Sequence, residues 1–132
     1  MSKQIDVVGA VILRDGAVFA VQRGPEKALP GMWEFPGGKV EDGETPKDAL
    51  ERELREELLC TADVGDFITT TAYEYSFGTV ILSTYFCELL EGEPQLTEHA
   101  KLRWVDPSEL DSLDWAPADI PAVKIVMEKL AR

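Results

Sequence analysis

Three glutamates, Glu53, Glu56 and Glu57, recur at helical spacing in the segment GKVEDGETPKDALERELREELLC, residues 38–60. At about 100° per residue they fall on one arc of a helix, beside an apolar stripe of Leu50, Leu54 and Leu58. Glu53 faces Glu56 and Glu57 at i+3 and i+4, where like charges cost about a few tenths of a kcal/mol per pair. Glu56 and Glu57 also sit towards the helix C-terminus, where the macrodipole disfavours negative charge. A helix selected for stability alone would not carry this pattern. A divalent cation reverses the sign of both penalties, and carboxylate oxygens suit Mg²⁺, with Mn²⁺ as a substitute. The lone histidine, His99, cannot build a histidine-rich metal site. Cys60 and Cys87 lack CxxC spacing and lie among apolar neighbours, so they read as reduced core thiols.

Several elements must position this helix. Thr45 is a natural cap and Pro46 takes the favoured first helical position. Upstream, the apolar run Ile5 to Leu13, the turn Arg14-Asp15-Gly16 and the run Ala17 to Gln22 predict a hairpin. Residues 24–31, with two prolines, read as a loop, and Met32 to Phe35 as a short strand ending at Pro36-Gly37-Gly38. Downstream, Thr61 to Tyr75 and Thr79 to Leu89 alternate as strands joined near Phe77-Gly78, and Lys101 to Val105 is another. Asp106-Pro107-Ser108-Glu109 opens a helical turn. A terminal helix is predicted over Ile120 to Leu130, with Ile120, Val123, Met127 and Leu130 on one side. The expected class is α/β, a mixed sheet with helices on its faces.

The spacing of the acids resembles the Nudix box: glycine, five residues, Glu, seven residues, then Arg-Glu-apolar-x-Glu-Glu-x-Gly-apolar. Gly38 opens it, and Glu44, Arg52, Glu53, Leu54, Glu56, Glu57 and Cys60 fill the later slots. Leu59 stands where the family has glycine. That glycine ends the helix in a left-handed conformation, which costs leucine about 1 kcal/mol or more, so a different ending is expected here. Beyond the box, WEFPGGKVEDGE resembles the MutT-type branch, and DWAPADIP is similar to its bacterial members that hydrolyse CTP and related pyrimidine nucleotides.

The resemblance implies a single domain over residues 1–132, an α/β/α Nudix sandwich, and hydrolysis of a nucleoside triphosphate to the monophosphate and pyrophosphate. It makes Glu53, Glu56 and Glu57 metal ligands, joined by a carbonyl of Gly37 or Gly38. It places a base among Glu53 and a loop glutamate; Glu98 fits that role best, and as a further metal ligand, although Glu91 and Glu93 are also loop acids. Arg52 would orient Glu56 or a neighbouring acid, and Glu44 would bond backbone in the loop before the helix. Arg23 and Lys39 would reach phosphates. Phe35, Tyr75 and Phe77 are candidate stacking surfaces, and Glu34 and Asp119 candidate base readers, with a helix cap as the alternative for Asp119. An ionised Asp119 accepts hydrogen bonds only, which favours the exocyclic amine of cytosine over the carbonyl of 8-oxoguanine. Cytosine nucleotides (CTP, dCTP, 5-methyl forms) are therefore the expected substrates, with 8-oxo-dGTP as the alternative. ADP-ribose or diadenosine polyphosphates, and a non-catalytic nucleotide-binding module, are the other readings; the full set of box acids opposes the module.

Composition narrows the partners. A net charge of −12 argues against nucleic-acid polymers and anionic membranes, since a basic footprint is missing. A small phosphate compound can still enter as its Mg²⁺ complex. The segment MSKQID lacks the basic and apolar regions of a signal peptide, and no run spans a bilayer, so a cytoplasmic protein is expected. A monomer is expected, with a weak dimer as the alternative.

Overall fold

The computed structural model describes residues 3–131; the start of the N-terminal segment read for a leader lies outside the described residues. Strands β1 (Gln4–Arg14) and β2 (Ala17–Gln22) form the expected hairpin. Asp15 and Gly16, at φ 53° and 80°, supply the left-handed pair that a tight hairpin turn requires. The hairpin contact is short, Leu13 opposite Val18 and Arg14 opposite Ala17. The body of β1 instead runs parallel to β6 (Gly78–Glu91), from Gln4 opposite Thr79 to Ile12 opposite Cys87. Outside β6 lies the antiparallel β5 (Thr61–Tyr75), and β2 pairs with β7 (Lys101–Val105) and with the two-residue β3 (Trp33–Glu34).

One strand was not predicted. The chain after Pro36 resumes pairing as β4 (Gly37–Lys39), antiparallel to β1, where the sequence pattern ends a strand. Glycine carries little strand propensity. Close approach imposes the pairing instead, since a Cβ at Gly37 would collide with the carbonyl of Val8.

Helix α1 (Pro46–Leu58) begins as predicted, with Thr45 accepting the Asp48 N–H at 3.1 Å. Its end corrects the expectation. Leu59 adopts the left-handed conformation itself, φ 57° and ψ 35°, so the helix stops as a glycine-capped one would. After a 3-10 turn at Pro107–Ser112 capped by Asp106, and another at Pro117–Asp119, comes α2 (Ile120–Lys129). Its buried residues are Ala122, Val123 and Val126; of the predicted stripe Val123 is buried, Met127 and Leu130 are half-buried against the same core, and Ile120 alone is exposed.

Alternation along β1 and β2 fills two cores on opposite faces of the sheet. Val8, Ala10, Ile12, Phe19 and Val21 meet Leu50, Leu54 and Leu58 of α1 on one face, together with Cys60 and Cys87. Val11, Val18 and Ala20 meet Trp33, Phe35 and α2 on the other. Each fully buried leucine of α1 contributes about 1.5–3 kcal/mol, which fixes the rotation of the helix and hence of its glutamates. Both thiols are free and buried.

Candidate active site

Arg52 lies at the centre of the acidic face. Its Nε and Nη2 donate to the two Glu44 oxygens at 2.7 and 2.9 Å, and Nη2 also reaches the Lys39 carbonyl at 3.0 Å. Nη1 meets Glu53 at 2.8 Å and Glu56 at 3.2 Å. Glu44 also accepts the Glu41 N–H at 2.9 Å, and the Arg52 guanidinium followed by that N–H holds its carboxyl down at about 2. Gly38 leaves room for the Glu53 carboxylate, which a Cβ there would strike.

Glu57, close to Glu53, lines a cavity of about 330 Å³ bounded by the sheet and the loops at its end. Its Oε2 is buried with no hydrogen-bond partner. Burial, then the charges of Glu53, Glu34 and Glu98, push its carboxyl up to about 9. The loop beyond β6 is tied to this end of α1: Thr97 Oγ1 donates to the Glu57 carbonyl at 2.8 Å and Gln95 N to the Leu58 carbonyl at 2.9 Å. Glu98, exposed, thereby reaches the cavity wall.

The cavity brings together Arg23, Glu34, Phe35, Gly37, Gly38, Lys39, Glu57, Tyr75, Phe77, Glu98 and Asp119 from the predicted set. Arg52, Glu53 and Glu56 are not on its wall. Arg23, expected at phosphates, donates through Nε to the Ala28 carbonyl and through Nη1 to Glu34 at 2.8 Å. Phe35 is a floor rather than a stacking face: it is 4% exposed and packs 4.7 Å from Trp115. Tyr75 is flanked by Tyr73 and Phe77, and its hydroxyl accepts the Ala118 N–H at 2.9 Å. Phe77, parallel to Tyr75 within 4° and half exposed, keeps an open face.

Asp119 departs most from the sequence reading. It makes no side-chain cap to α2; its Oδ2 accepts the Phe35 N–H at 3.0 Å. Burial, then the Glu34 charge, raises its carboxyl well above the usual range. His99, set aside in the sequence because it could not build a metal site, also lines the cavity, 3.0 Å from Glu34. Its place next to Glu98 was the one available signal.

Among the described residues no three Asp, Glu, His or Cys side chains converge as a ready metal cluster, and Glu53 and Glu56 share one Arg52 nitrogen. The donors still suit a hard cation. Glu57 offers an unpartnered buried oxygen among repelling carboxylates, and a cation would relieve both conditions.

A NUDIX domain model matches residues 3–124, nearly the whole chain. The chain belongs to the Nudix hydrolase family. This Nudix hydrolase is 41% identical to the CTP pyrophosphohydrolase of Escherichia coli, over 95% of this chain and 93% of that one. It is 44% identical to the putative 8-oxo-dGTP diphosphatase 2 of Mycobacterium tuberculosis, over 90% and 84%. The solution structure of a Nudix-family DNA mismatch repair protein MutT from methicillin-resistant Staphylococcus aureus superposes with a TM-score of 0.81 at 54% identity, covering 98% of this chain and 99% of that one. No helix among the described residues is long and apolar enough to cross a membrane.

Proposed function

We propose that this Nudix hydrolase is a Mg²⁺-dependent nucleoside triphosphate pyrophosphohydrolase, with Mn²⁺ as a substitute, acting as a cytoplasmic monomer and releasing a nucleoside monophosphate and pyrophosphate. The observation that carries this reading is one cavity lined by Glu57, Glu98 and Asp119 together with Arg23 and Lys39. Its volume of about 330 Å³ suits a small polar ligand. The named activities of the relatives from Escherichia coli and Mycobacterium tuberculosis support the same class.

Glu53, Glu56, Glu57, Glu98 and a carbonyl of Gly37 or Gly38 are the proposed ligands. The bound ion would neutralise triphosphate charge and acidify a water. Arg52 keeps Glu53 and Glu56 in position, and Glu44 keeps Arg52 in position. Glu98 or Glu53 takes the proton from the attacking water at a carboxylate oxygen. Lys39, exposed beside the cavity, meets the phosphates with Arg23, and Phe77 offers its open face to the base.

Base choice follows from Asp119. Oδ2 of Asp119 accepts from Phe35, which leaves Oδ1 to meet a base as an acceptor. The exocyclic amine of cytosine complements it, so cytosine nucleotides remain the leading substrates. The protonated N7 of 8-oxoguanine complements it too, and this favours 8-oxo-dGTP as the second reading. Ordinary guanine, with acceptors at N7 and O6, does not match. The test is pyrophosphate release with Mg²⁺ from dCTP, CTP, 8-oxo-dGTP, dGTP and UTP, with the nucleotides separated afterwards. Monophosphates from the first three, well above the last two, are expected. Diphosphates as the main product sink the activity, and a preference for dGTP or UTP sinks the base reading.

A further inference from the structure

Tyr75 is the last residue of β5, paired with Gly78 across the hairpin, and it lines the cavity half-buried. Tyr73 and Phe77 pack on its ring, with centroids 4.7 and 5.1 Å away. A ring already engaged by two neighbours is a poor platform for a base, unlike that of Phe77. The hydroxyl, by contrast, has a specific partner. It accepts the Ala118 N–H at 2.9 Å, a bond between residues 43 apart. Ala118 is buried and sits inside the 3-10 turn Pro117–Asp119. The first N–H groups of a helical turn have no partner within it, and Ala116 supplies no side-chain cap. The phenol of β5 therefore does what a cap would do, and a buried N–H stripped of its acceptor is costly.

The residue after Ala118 is Asp119. Its own N–H donates to the Ala116 carbonyl at 2.9 Å, Ala116 N donates to the Trp33 carbonyl at 2.9 Å, and Oδ2 accepts the Phe35 N–H at 3.0 Å. Those ties lead back to β3 and the residue that follows it. Of these bonds, the one from Tyr75 alone joins the turn to the β5–β6 hairpin. The end of that hairpin is itself anchored. Thr79 N donates to the Lys3 carbonyl at 2.7 Å, and a Cβ at Gly78 would come within 2.8 Å of the same oxygen. The Asp119 carboxylate is thus held between two fixed parts of the sheet, and the Tyr75 hydroxyl is the link to one of them.

We propose that Tyr75 is a positioning residue for base selection: its hydroxyl sets the 3-10 turn so that Asp119 meets the base at one fixed place in the cavity. This rests on the reading of Asp119 as the base-selecting acid above. Discrimination by a buried hydrogen bond needs that bond held in place before the ligand arrives. Without the hydroxyl, the turn and its carboxylate gain freedom, and the preferred base loses more than the others.

The experiment measures kcat/KM with Mg²⁺ for dCTP against dUTP and for 8-oxo-dGTP against dGTP. It uses the full chain, Tyr75→Phe, Asp119→Ala and the double variant. Tyr75→Phe keeps the ring and removes the hydroxyl. It should cost the preferred nucleotide of the pair about tenfold more than its counterpart, the scale of one hydrogen bond. In the Asp119→Ala background it should cost that nucleotide almost nothing more, because two groups acting through one contact do not add. A residue that only stabilises the fold would lower the melting temperature and spare the preference. Equal costs on both nucleotides, or equal costs in both backgrounds, overturn the role of Tyr75 alone. Amide hydrogen exchange gives a readout that stands even if Asp119→Ala does not fold. The Ala118 N–H should be protected in the native protein, and in Tyr75→Phe both it and the Phe35 N–H should exchange faster. An unprotected Ala118 N–H in the native protein, or faster exchange at Ala118 with none at Phe35, also overturns the role of Tyr75. Turnover without base preference in the native protein overturns the base reading of Asp119 and this role with it. No turnover of any nucleoside triphosphate overturns the pyrophosphohydrolase reading and everything resting on it.

Discussion

Two nitrogens of Arg52 close on both carboxylate oxygens of Glu44, at 2.7 and 2.9 Å, and this clamp leaves Nη1 free to hold Glu53 and Glu56. Charge-assisted bidentate pairs fix orientation as well as distance. Glu44→Gln is expected to lower kcat by about tenfold with little change in KM, the pattern of a group that orders the reacting site without binding substrate. Linkage supplies a second readout. The Glu44 carboxyl is held down at about 2 in the folded state. Its stabilisation is therefore complete above its ordinary value and is lost as the pH falls towards about 2. Acid unfolding below pH 4.5 should be less steep in Glu44→Gln than in the native protein, as followed by circular dichroism.

Glu53→Gln and Glu57→Gln should each reduce turnover by about 100-fold or more, the scale of removing a preorganised electrostatic group, while the fold survives. The metal-free Glu57→Gln protein should melt higher than the native one. With the Glu57 carboxyl pushed up to about 9, the folded state holds a proton that the unfolded state releases near pH 4.5. Stability is thus greatest below that value and declines as the pH rises towards 9. The melting advantage of Glu57→Gln in chelator should grow from pH 5 to pH 8. A constant difference across that range would remove Glu57 from its place among repelling carboxylates.

Asp119→Ala should lower kcat/KM for dCTP and 8-oxo-dGTP far more than for UTP, because a site built around buried hydrogen bonds discriminates most against partners that lose them. Asp119→Asn keeps one oxygen acceptor and should retain part of the native activity. Equal losses on all three nucleotides in Asp119→Ala would leave Asp119 with only its structural bond to Phe35.

Leu59 is 54% exposed and sits at φ 57°. Leu59→Gly removes little buried surface and relieves left-handed strain, so it should stabilise the fold by about 1 kcal/mol in urea titrations. Unchanged or lower stability would show that the leucine packs in a way that offsets its backbone strain.

Local signals carried most of the fold. Thr45 and Pro46 announced the start of α1, and alternation marked β5 from Thr61 to Tyr75 at its observed bounds. What stayed hidden was non-local. β4 is written in glycines, whose pairing comes from the approach of Val8 and not from their own preference. The part of the α2 face formed by Ala122 and Val126 was missed because it is set by a core shared with Val11 and Trp33, distant in sequence. The candidate site divides the same way. The spacing of Glu53, Glu56 and Glu57 was plain, but the bond from the Phe35 N–H to Asp119 spans 84 residues. The pairing of His99 with Glu34 spans 65 residues. No window along the chain contains either.

The ties from Thr97 and Gln95 to the carbonyls of Glu57 and Leu58 bear on how this enzyme could be re-engineered. A helix end leaves carbonyls that need donors, and here a surface loop supplies them. The connection between β6 and β7 looks like a site where a peptide tag or graft could be accepted, as exposed loops usually are. In this protein such a graft would strip the last turn of α1 of its donors and displace Glu98 and His99 together. The loop at residues 41–43 ahead of α1 is exposed too, but Glu44 N and the Glu44 side chain anchor it locally to Glu41. Loop libraries aimed at new substrates should vary Glu93 and Pro94 while keeping Gly92, Gln95 and Thr97.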